Sequence, residues 1–199
     1  AGAYIFMPEL PEGFIPTDGV ELPTITVTVS EGEAPVFAAR WMSISLPNGT
    51  ESPETVEGLG TEDDPLRIET AAQLAALAWS VNHDSLPDSL PEYPCLILVN
   101  DIDLSDYNDE EDSYGKGWVP IGGYYNEDAE HYAFSGTFDG NHKTIRGLYV
   151  ERGERYVGLF GYVKEGTVKN LTVEDGDVTG YAATGGIVGD LYNGQIENC

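Results

Sequence analysis

The sequence repeats itself near its C-terminal end. Residues 158–161 read Gly-Leu-Phe-Gly, and residues 186–189 read Gly-Ile-Val-Gly. Four further positions coincide at the same spacing: Gly166 with Gly194, Val168 with Ile196, Asn170 with Asn198, and Leu171 with Cys199. Self-similarity at a period of about 20 to 50 residues is typical of supersecondary units that stack on one another. A looser copy is predicted upstream, where residues 144–148 resemble residues 167–171.

Each repeat contains short strands and glycine turns and shows no helical periodicity. This combination predicts an all-β solenoid, in which each repeat lies on the previous one at about 4.8 Å. Val168 and Leu171 are expected to face the interior of the coil. Asn170 and Asn198 occupy matching positions, so we expect a ladder at a corner of the coil, in which each side chain bonds to the backbone of the next coil.

Residues 71–82 carry the one convincing helical pattern. Thr70 fits an N-cap and Gln73 fits the capping-box position. The following side chains share or adjoin one face: Ala71, Leu74, Ala75, Leu77, Ala78 and Val81. The helix directly precedes the first coil strands, so it is predicted to cover the otherwise open apolar end of the solenoid.

Residues 1–57 are predicted to form a separate β-rich module or an extended arm. Residues 24–30 alternate with period two, which indicates a half-buried strand, and residues 34–46 indicate a second strand. The turn-rich and acidic residues 47–64 predict a linker. The domain boundary is therefore placed after residue 57, with 58–199 as the solenoid domain.

Residues 158–161 and 186–189, with the TVKNLTV and QIENC that follow them, resemble the GLUG repeat of bacterial surface proteins. The preceding segments GTEDDPLRIETAAQLAALAWSVN, VNDIDLSD, WVPIGG and FSGTFDGNHKTIRGLYV extend the resemblance over residues 60–199. The chain departs from the family pattern at His142, where a glycine is usual, and at the long acidic insertion 107–117. The resemblance implies a right-handed parallel β-helix on an exported protein, and it implies no catalytic residues.

The charge of the chain excludes several classes of partner. There are 35 acidic and 9 basic residues, for a net charge of −26, and residues 1–115 contain only two of the bases. Such a surface repels phosphate, so neither nucleic acid nor anionic lipid is an expected partner. No uninterrupted apolar run is long enough to span a bilayer, so we expect no insertion into a membrane.

The sequence predicts no catalytic, cofactor-binding or metal-binding residues. Because parallel β-helices also carry polysaccharide-cleaving sites built on clustered acids, Asp139 with His142, Lys143 and Arg146 is the group to consider. Asp139 lies in the FDGN turn, however, and is expected to bond to backbone there. The three histidines, His83, His131 and His142, are too widely spaced for a metal signature.

Two surface features leave alternatives open. Residues 101–112 contain seven carboxylates and the Ser105 hydroxyl, which would suit calcium, but Asp106 stands where an EF-hand loop requires glycine. A solvated acidic loop is therefore favoured over a calcium site. Numerous tyrosines either cover the coil or stack on surface glycans: Tyr124, Tyr125, Tyr132, Tyr149, Tyr156, Tyr162, Tyr181 and Tyr192.

The two ends of the sequence predict an incomplete unit. The chain starts at Ala1, as a processed or trimmed chain would, and its second full repeat stops at Cys199. An open coil exposes unpaired backbone groups, so we expect either a longer monomeric solenoid or a subunit that self-associates end to end or exchanges the strand 24–30. Cys95 and Cys199 either face the core, pair with each other or link two chains.

These features together predict a non-catalytic, secreted structural or adhesive module on a prokaryotic cell surface, and end-to-end assembly into a filament is one of the two expected states. The alternative is a β-helix protein that binds or cleaves carbohydrate. Saturable binding without turnover would identify the first of these alternatives, and the release of new reducing ends would identify the second.

Overall fold

The structure is a computed structural model that contains two compact units, residues 1–38 and residues 39–199. The described residues are 2–6, 25–29, 56–84, 86–87, 90–108, 111–112, 115–124 and 131–199. In the first unit, strand β1 (Gly2–Phe6) pairs antiparallel with β2 (Ile25–Val29) along their full lengths. The strand predicted at 24–30 is therefore confirmed. The strand predicted at 34–46 lies outside the described residues, and so does most of the region around the predicted boundary at residue 57.

The second unit consists of short strands and one helix. The strands before the repeats are β3 (Leu66–Ile68), β4 (Cys95–Leu98), β5 (Ile102–Asp103), β6 (Glu111–Asp112), β7 (Gly115–Gly117), β8 (Gly123–Tyr124) and β9 (His131–Tyr132). The later strands are β10 (Thr137–Arg146), β11 (Tyr149–Arg152), β12 (Arg155–Val157), β13 (Phe160–Lys164), β14 (Thr167–Glu174), β15 (Asp177–Thr179), β16 (Ala182–Thr184), β17 (Val188–Tyr192) and β18 (Gln195–Glu197). The predicted all-β class is compatible with this content.

Parallel ladders join each strand of one repeat to the equivalent strand of the next repeat. The largest sheet runs in the order β18-β14-β10-β4-β3 and is parallel throughout. The pairs β11–β15, β12–β16 and β13–β17 are also parallel, and they place Val150 beside Val178 and Phe160 beside Val188. The chain thus visits its sheets twice in the same order. The spacing predicted from the repeated residues is the spacing of the ladders β13–β17 and β14–β18.

The looser copy predicted at residues 144–148 is wrong. Thr144 lies beside Thr172, and Thr167 lies beside Thr137, so the two segments compared in the sequence are not neighbours. The register between β10 and β14 changes between Asp139 and Lys143. The corner of β10 contains residues 140–142 where β14 has Asn170 alone, and this bulge conceals the true spacing from a simple sequence alignment.

The acidic insertion 107–117 contains secondary structure. β6 and β7 form an antiparallel pair, and β7 continues antiparallel along β11, with Gly117 beside Val150. β8 and β9 form a second antiparallel pair. Gly117 has φ +80°, and a Cβ there would collide with the carbonyl oxygen of Tyr149. Only glycine fits this close approach of β7 to β11.

The predicted helix is confirmed as α1 (Ala71–Asn82). Thr70 Oγ1 accepts a hydrogen bond from Gln73 N at 3.1 Å, and Gln73 Oε1 accepts from the backbone N–H groups of Glu69 and Thr70, which completes the capping box. The predicted apolar face is buried at Leu74, Leu77, Ala78 and Val81, whereas Ala71 and Ala75 are only half-buried. In the described part of the chain, no helix has the length and hydropathy that crossing a bilayer requires.

One core joins the helix to the strands. The buried side chains of α1 belong to the same apolar cluster as those of β3, β4, β10, β13 and β14. Phe160 is fully buried in this cluster, and its ring centroid lies 5.3 Å from that of Phe134 and 5.1 Å from that of Phe138. Val168 and Leu171 are buried as predicted. Val56 also joins the cluster, so the described part of the predicted linker 47–64 packs against the core.

Candidate functional site

The last strand of each parallel ladder forms an exposed edge. Among the described residues, β15, β16, β17 and β18 each pair with a strand on one side only. We call these four strands, with residues 171–174 of β14, the terminal edge. Ile196 is 45% exposed although its neighbour in register, Val168, is fully buried. Leu191 is 37% exposed although its neighbour Val163 is fully buried. The terminal edge therefore presents apolar side chains whose equivalents in the preceding repeat are buried.

An asparagine ladder runs to this edge. Asn198 Nδ2 donates to Asn170 Oδ1 at 3.2 Å, and Asn170 Nδ2 donates to Asp139 Oδ1 at 3.0 Å. Asn170 and Asn198 both have φ +52°, a left-handed conformation that asparagine tolerates better than most residues. The predicted ladder is confirmed, but its bonds join side chain to side chain rather than side chain to backbone.

Two columns of charged side chains cross the sheet that contains this ladder, and their signs alternate. In the first column, Asp139 lies beside Lys169, and Lys169 lies beside Glu197. Lys169 Nζ is 3.4 Å from Asp139 Oδ2. In the second column, Asp103 lies beside Arg146, and Arg146 Nε donates to Glu174 Oε2 at 3.0 Å. Both columns end in a glutamate at the terminal edge.

Asp139 is held by its neighbours in the turn. Its Oδ1 accepts from Asn141 N at 2.8 Å, as predicted for the FDGN turn. Partial burial opposes ionisation, but the hydrogen bonds from Asn170 and Asn141 and the ammonium of Lys169 together lower the pKa of Asp139 below its usual value. Arg146 bonds to Glu174 instead of Asp139, and His142 is exposed. Asp139 and Arg146 therefore bond to different partners.

The first acidic residues of the 101–112 segment have structural bonds. Asp101 Oδ1 accepts from Thr144 N, and Asp103 Oδ1 accepts from Ser105 N, both at 2.9 Å. Hydrogen bonds from Ser105 are the main cause of the lowered pKa of Asp103. No group of three or more metal-ligating side chains occurs within the described ranges. The side chains of residues 109–112 lie outside the description, so the calcium alternative stays a prediction.

A tyrosine-rich group lies on the outer side of β12, β13 and β17. Tyr156 and Tyr162 stack at a centroid distance of 5.3 Å and an interplanar angle of 27°. Asp190 lies beside Tyr162, and the 52% exposed Tyr192 lies beside Lys164. Desolvation, followed by the charge of Asp190, raises the pKa of Tyr162 above its usual value. Rings with adjacent carboxylate and ammonium groups suit stacking and hydrogen bonding to a sugar.

The two cysteines are free and do not form a disulfide with each other. Cys95 is half-buried in β4, and Cys199 is exposed at the terminal edge. The interpretation of the two cysteines as residues that face a core stays a prediction for Cys199, which is the last residue of the sequence. The sequence analysis missed the charged columns. In the sequence they correspond to opposite charges about one repeat apart, and these pairs can be recognised only when the register is known.

The comparisons with known proteins give two relatives. The chain is 33% identical over 177 residues to a protein named "Halomucin" from Haloquadratum walsbyi. The aligned region covers 88% of this chain and 2% of that protein. It is 36% identical over 146 residues to a protein named "Putative Gly-rich membrane protein" from Evansella cellulosilytica. That aligned region covers 71% of this chain and 15% of that protein. The chain therefore spans only a small part of each relative.

Both relatives are prokaryotic, and their names fit the predicted surface protein. Residues 1–57 make up more than a quarter of the chain, so the halomucin match over 88% of it includes part of them. The similarity thus extends beyond the GLUG-like region 60–199. No family model matches the chain, so the resemblance to the GLUG repeat rests on the quoted residues alone. No solved structure matches significantly.

Proposed function

We propose that residues 58–199 form a right-handed parallel β-helix that acts as a non-catalytic structural or adhesive module of a prokaryotic surface protein. The supporting observation is the register. β10 to β14 and then β14 to β18 pass through the same sheets in the same order, and each later strand lies parallel beside the earlier one. A chain that coils once per repeat produces this pattern.

The roles of the remaining parts follow from that architecture. α1 contributes its apolar side chains to the core next to the outermost strand, β3, so it acts as the cap of the first coil. The net charge of −26 keeps the outer surface solvated. The names of the relatives favour a place at the cell surface.

Engineered disulfides test the coil register in solution. In a chain with Cys95→Ser and Cys199→Ser, the pair Lys164→Cys with Tyr192→Cys is expected to cross-link on mild oxidation, because these positions are neighbours across one ladder. The matched control, Lys164→Cys with Asp190→Cys, shifts one position by two residues and is expected to stay reduced. Equal cross-linking of both pairs, measured by peptide mapping, would contradict the coiled register.

Incubation with plant and bacterial polysaccharides tests the non-catalytic role. We expect no new reducing ends and no unsaturated products, because Asp139 is engaged in structural bonds. Turnover that Asp139→Asn abolishes would overturn this proposal in favour of a carbohydrate-cleaving enzyme.

The stacked pair Tyr156–Tyr162 favours a second candidate, the binding of surface glycans without turnover. The ring of Tyr192 and the carboxylate of Asp190 extend the same outer face. Saturable binding to an immobilised neutral polysaccharide is expected to weaken with Tyr192→Ala. Tyr181→Ala, which removes an 80% exposed ring outside this group, is the control. Equal effects of the two variants would argue against a glycan site here.

A further inference from the structure

Tyr156 has a backbone conformation that bulky residues avoid. Its φ is +66°, in the left-handed region, where the side chain of an L-residue crowds its own backbone. Most of the described non-glycine residues with positive φ are asparagine or aspartate, which tolerate this region better than tyrosine does. Strained backbone of this kind is common at binding sites, where a side chain is held in place at the expense of stability. The conformation of Tyr156 therefore calls for a reason to keep a large ring there.

The next repeat shows what this corner of the chain requires. The neighbours of Tyr156 in β12 pair with the neighbours of Ala183 in β16, so Tyr156 and Ala183 occupy equivalent positions. Ala183 has φ +49°, so the left-handed conformation belongs to the corner in both repeats. Because the corner forms around a methyl group in β16, its backbone does not need a tyrosine in β12.

The ring of Tyr156 is part of a pair that one of the two repeats lacks. It stacks on Tyr162 of β13 at a centroid distance of 5.3 Å and an interplanar angle of 27°. A Cβ at Gly161 would collide with the carbonyl oxygen of Tyr156, so glycine there permits the close approach that brings the rings together. The next repeat has Asp190 beside Tyr162 and Ala183 in place of Tyr156, and thus no ring pair. Both tyrosines are half-buried, which leaves part of each ring in contact with solvent.

The chemistry around the pair favours an uncharged ligand with hydroxyl groups. Desolvation, followed by the charge of Asp190 and a smaller effect of Glu165, raises the pKa of Tyr162, so its phenol keeps a proton to donate. A tyrosine ring offers an apolar face with a hydroxyl at its edge, which matches the apolar face and hydroxyl rim of a sugar ring. The two nearby carboxylates and the net charge of −26 repel acidic sugars.

We infer that Tyr156 is the stacking platform of a binding site for a neutral sugar on the outer face of β12 and β13, and that its ring is kept there at a cost in stability. This inference rests on the glycan-binding candidate proposed above. It adds the residue on which the sugar stacks and the class of sugar that the site accepts.

Melting temperatures test the cost in stability. Tyr156→Gly and Tyr156→Ala both remove the ring, but only glycine relieves the left-handed backbone, so the glycine variant is expected to melt about 2–4 °C above the alanine variant. Ala183→Gly makes the same backbone change at the equivalent corner and is expected to raise the melting temperature of the unchanged chain. A glycine variant of Tyr156 that melts at or below the alanine variant would overturn the claim that the ring is kept against backbone strain.

Calorimetric titration tests the sugar. The probes are cellohexaose, mannohexaose and laminarihexaose, and the acidic counterpart is an oligogalacturonide of the same length. The unchanged chain is expected to bind at least one neutral probe and to bind the oligogalacturonide more weakly. Tyr156→Gly is expected to raise the Kd for the neutral probe about tenfold, the loss of one stacking contact. Tyr156→Phe keeps the ring, and Ala183→Gly leaves the pair intact, so both are expected to stay within about threefold of the unchanged chain.

The outcomes separate the ways in which the inference can fail. Neutral-sugar binding that Tyr156→Gly leaves unchanged would overturn the role of Tyr156, while the glycan-binding candidate would stand. Tighter binding of the oligogalacturonide would overturn the class of sugar. If no neutral probe binds, both this inference and the glycan-binding candidate are overturned, whereas the structural module is tested separately by the disulfide pair at residues 164 and 192.

Discussion

β3 and β18 are both outermost strands of the same parallel sheet, yet their inward side chains differ in burial. Leu66 and Ile68 on β3 are 5% and 1% exposed, whereas Ile196 on β18 is 45% exposed. Each strand has one parallel neighbour, but Arg67 of β3 also forms an antiparallel bridge with Glu57. At the β3 end, α1 and Val56 join the core cluster. The comparison shows that the burial of an outermost strand depends on the elements that pack on it.

The largest expected effect on stability comes from replacing an isoleucine with alanine on each of the two outermost strands, β3 and β18. Ile68→Ala removes fully buried atoms and is expected to lower the free energy of unfolding by about 2–5 kcal/mol. Ile196→Ala removes atoms that water already reaches, and its cost is expected to stay below about 1 kcal/mol. Urea unfolding of both variants measures the difference. Equal losses would mean that the terminal edge is covered in solution.

The next effect concerns the anchor of α1. Asn82 Nδ2 donates to Pro120 O at 3.0 Å, and Gly122 N donates to Asn82 Oδ1 at 2.8 Å, all within buried surroundings. Asn82→Ala removes both of these buried hydrogen bonds, so we expect a loss of about 2–3 kcal/mol. Thr70→Ala, which removes the N-cap, is the control at the other end of the helix and is expected to cost about 1 kcal/mol. A larger loss for Thr70→Ala than for Asn82→Ala would mean that the capping box, rather than Asn82, holds the helix in place.

A smaller effect is expected from the asparagine ladder. Asn170→Gly keeps the left-handed backbone accessible but removes the bonds to Asp139 and Asn198, so the expected loss is about 1 kcal/mol. Asn198→Gly, at the exposed end of the same ladder, is expected to change stability by less than about 0.5 kcal/mol. NMR titration adds an independent measurement, because Asn170→Gly is expected to raise the pKa of Asp139. An unchanged Asp139 titration would show that the ladder does not stabilise the carboxylate.

The smallest effect is a pH dependence. Because the folded-state pKa of Asp139 is lowered, its contribution to stability is fully present above the unfolded value of about 3.9 and is lost as the pH falls through the lower folded value. The carboxylate is partly exposed, so the contribution is expected to stay below about 1 kcal/mol. Unfolding midpoints at pH 7 and pH 3 are expected to differ less in Asp139→Asn than in the unchanged chain. An equal fall in both proteins would assign the pH dependence to other acids.

Local patterns account for the parts of the fold that the sequence predicted correctly. The helix at 71–82 follows from helical spacing and a capping box, both of which involve neighbours in the sequence. The strand at 24–30 follows from period-two alternation. The ladder of Asn170 and Asn198 follows from their equal place in the repeat, because equal places in stacked units become neighbours in space.

The short antiparallel strands in the acidic insertion could not be predicted in the same way. β6 and β7 have two and three residues, too few to display an alternating pattern, and β7 forms because β11 offers its backbone nearby. The partners of the candidate catalytic residues could not be predicted for a related reason. Asp139 and Arg146 are close in sequence, but they lie in two separate charged columns, and each bonds to a residue of the next repeat.

The sequence by itself determined the period of the repeat, the helix and the residues that face inward, because each is recorded in the spacing of residue types along the chain. Only the tertiary structure decided which charges meet and which end is closed. The register shift at the corner of β10 places Asp139 beside Lys169 before the corner and Arg146 beside Glu174 after it, so the two pairs have different separations along the chain. A shift of this kind in a corner moves every later pair along the ladder, and it depends on how the backbone packs rather than on any single residue.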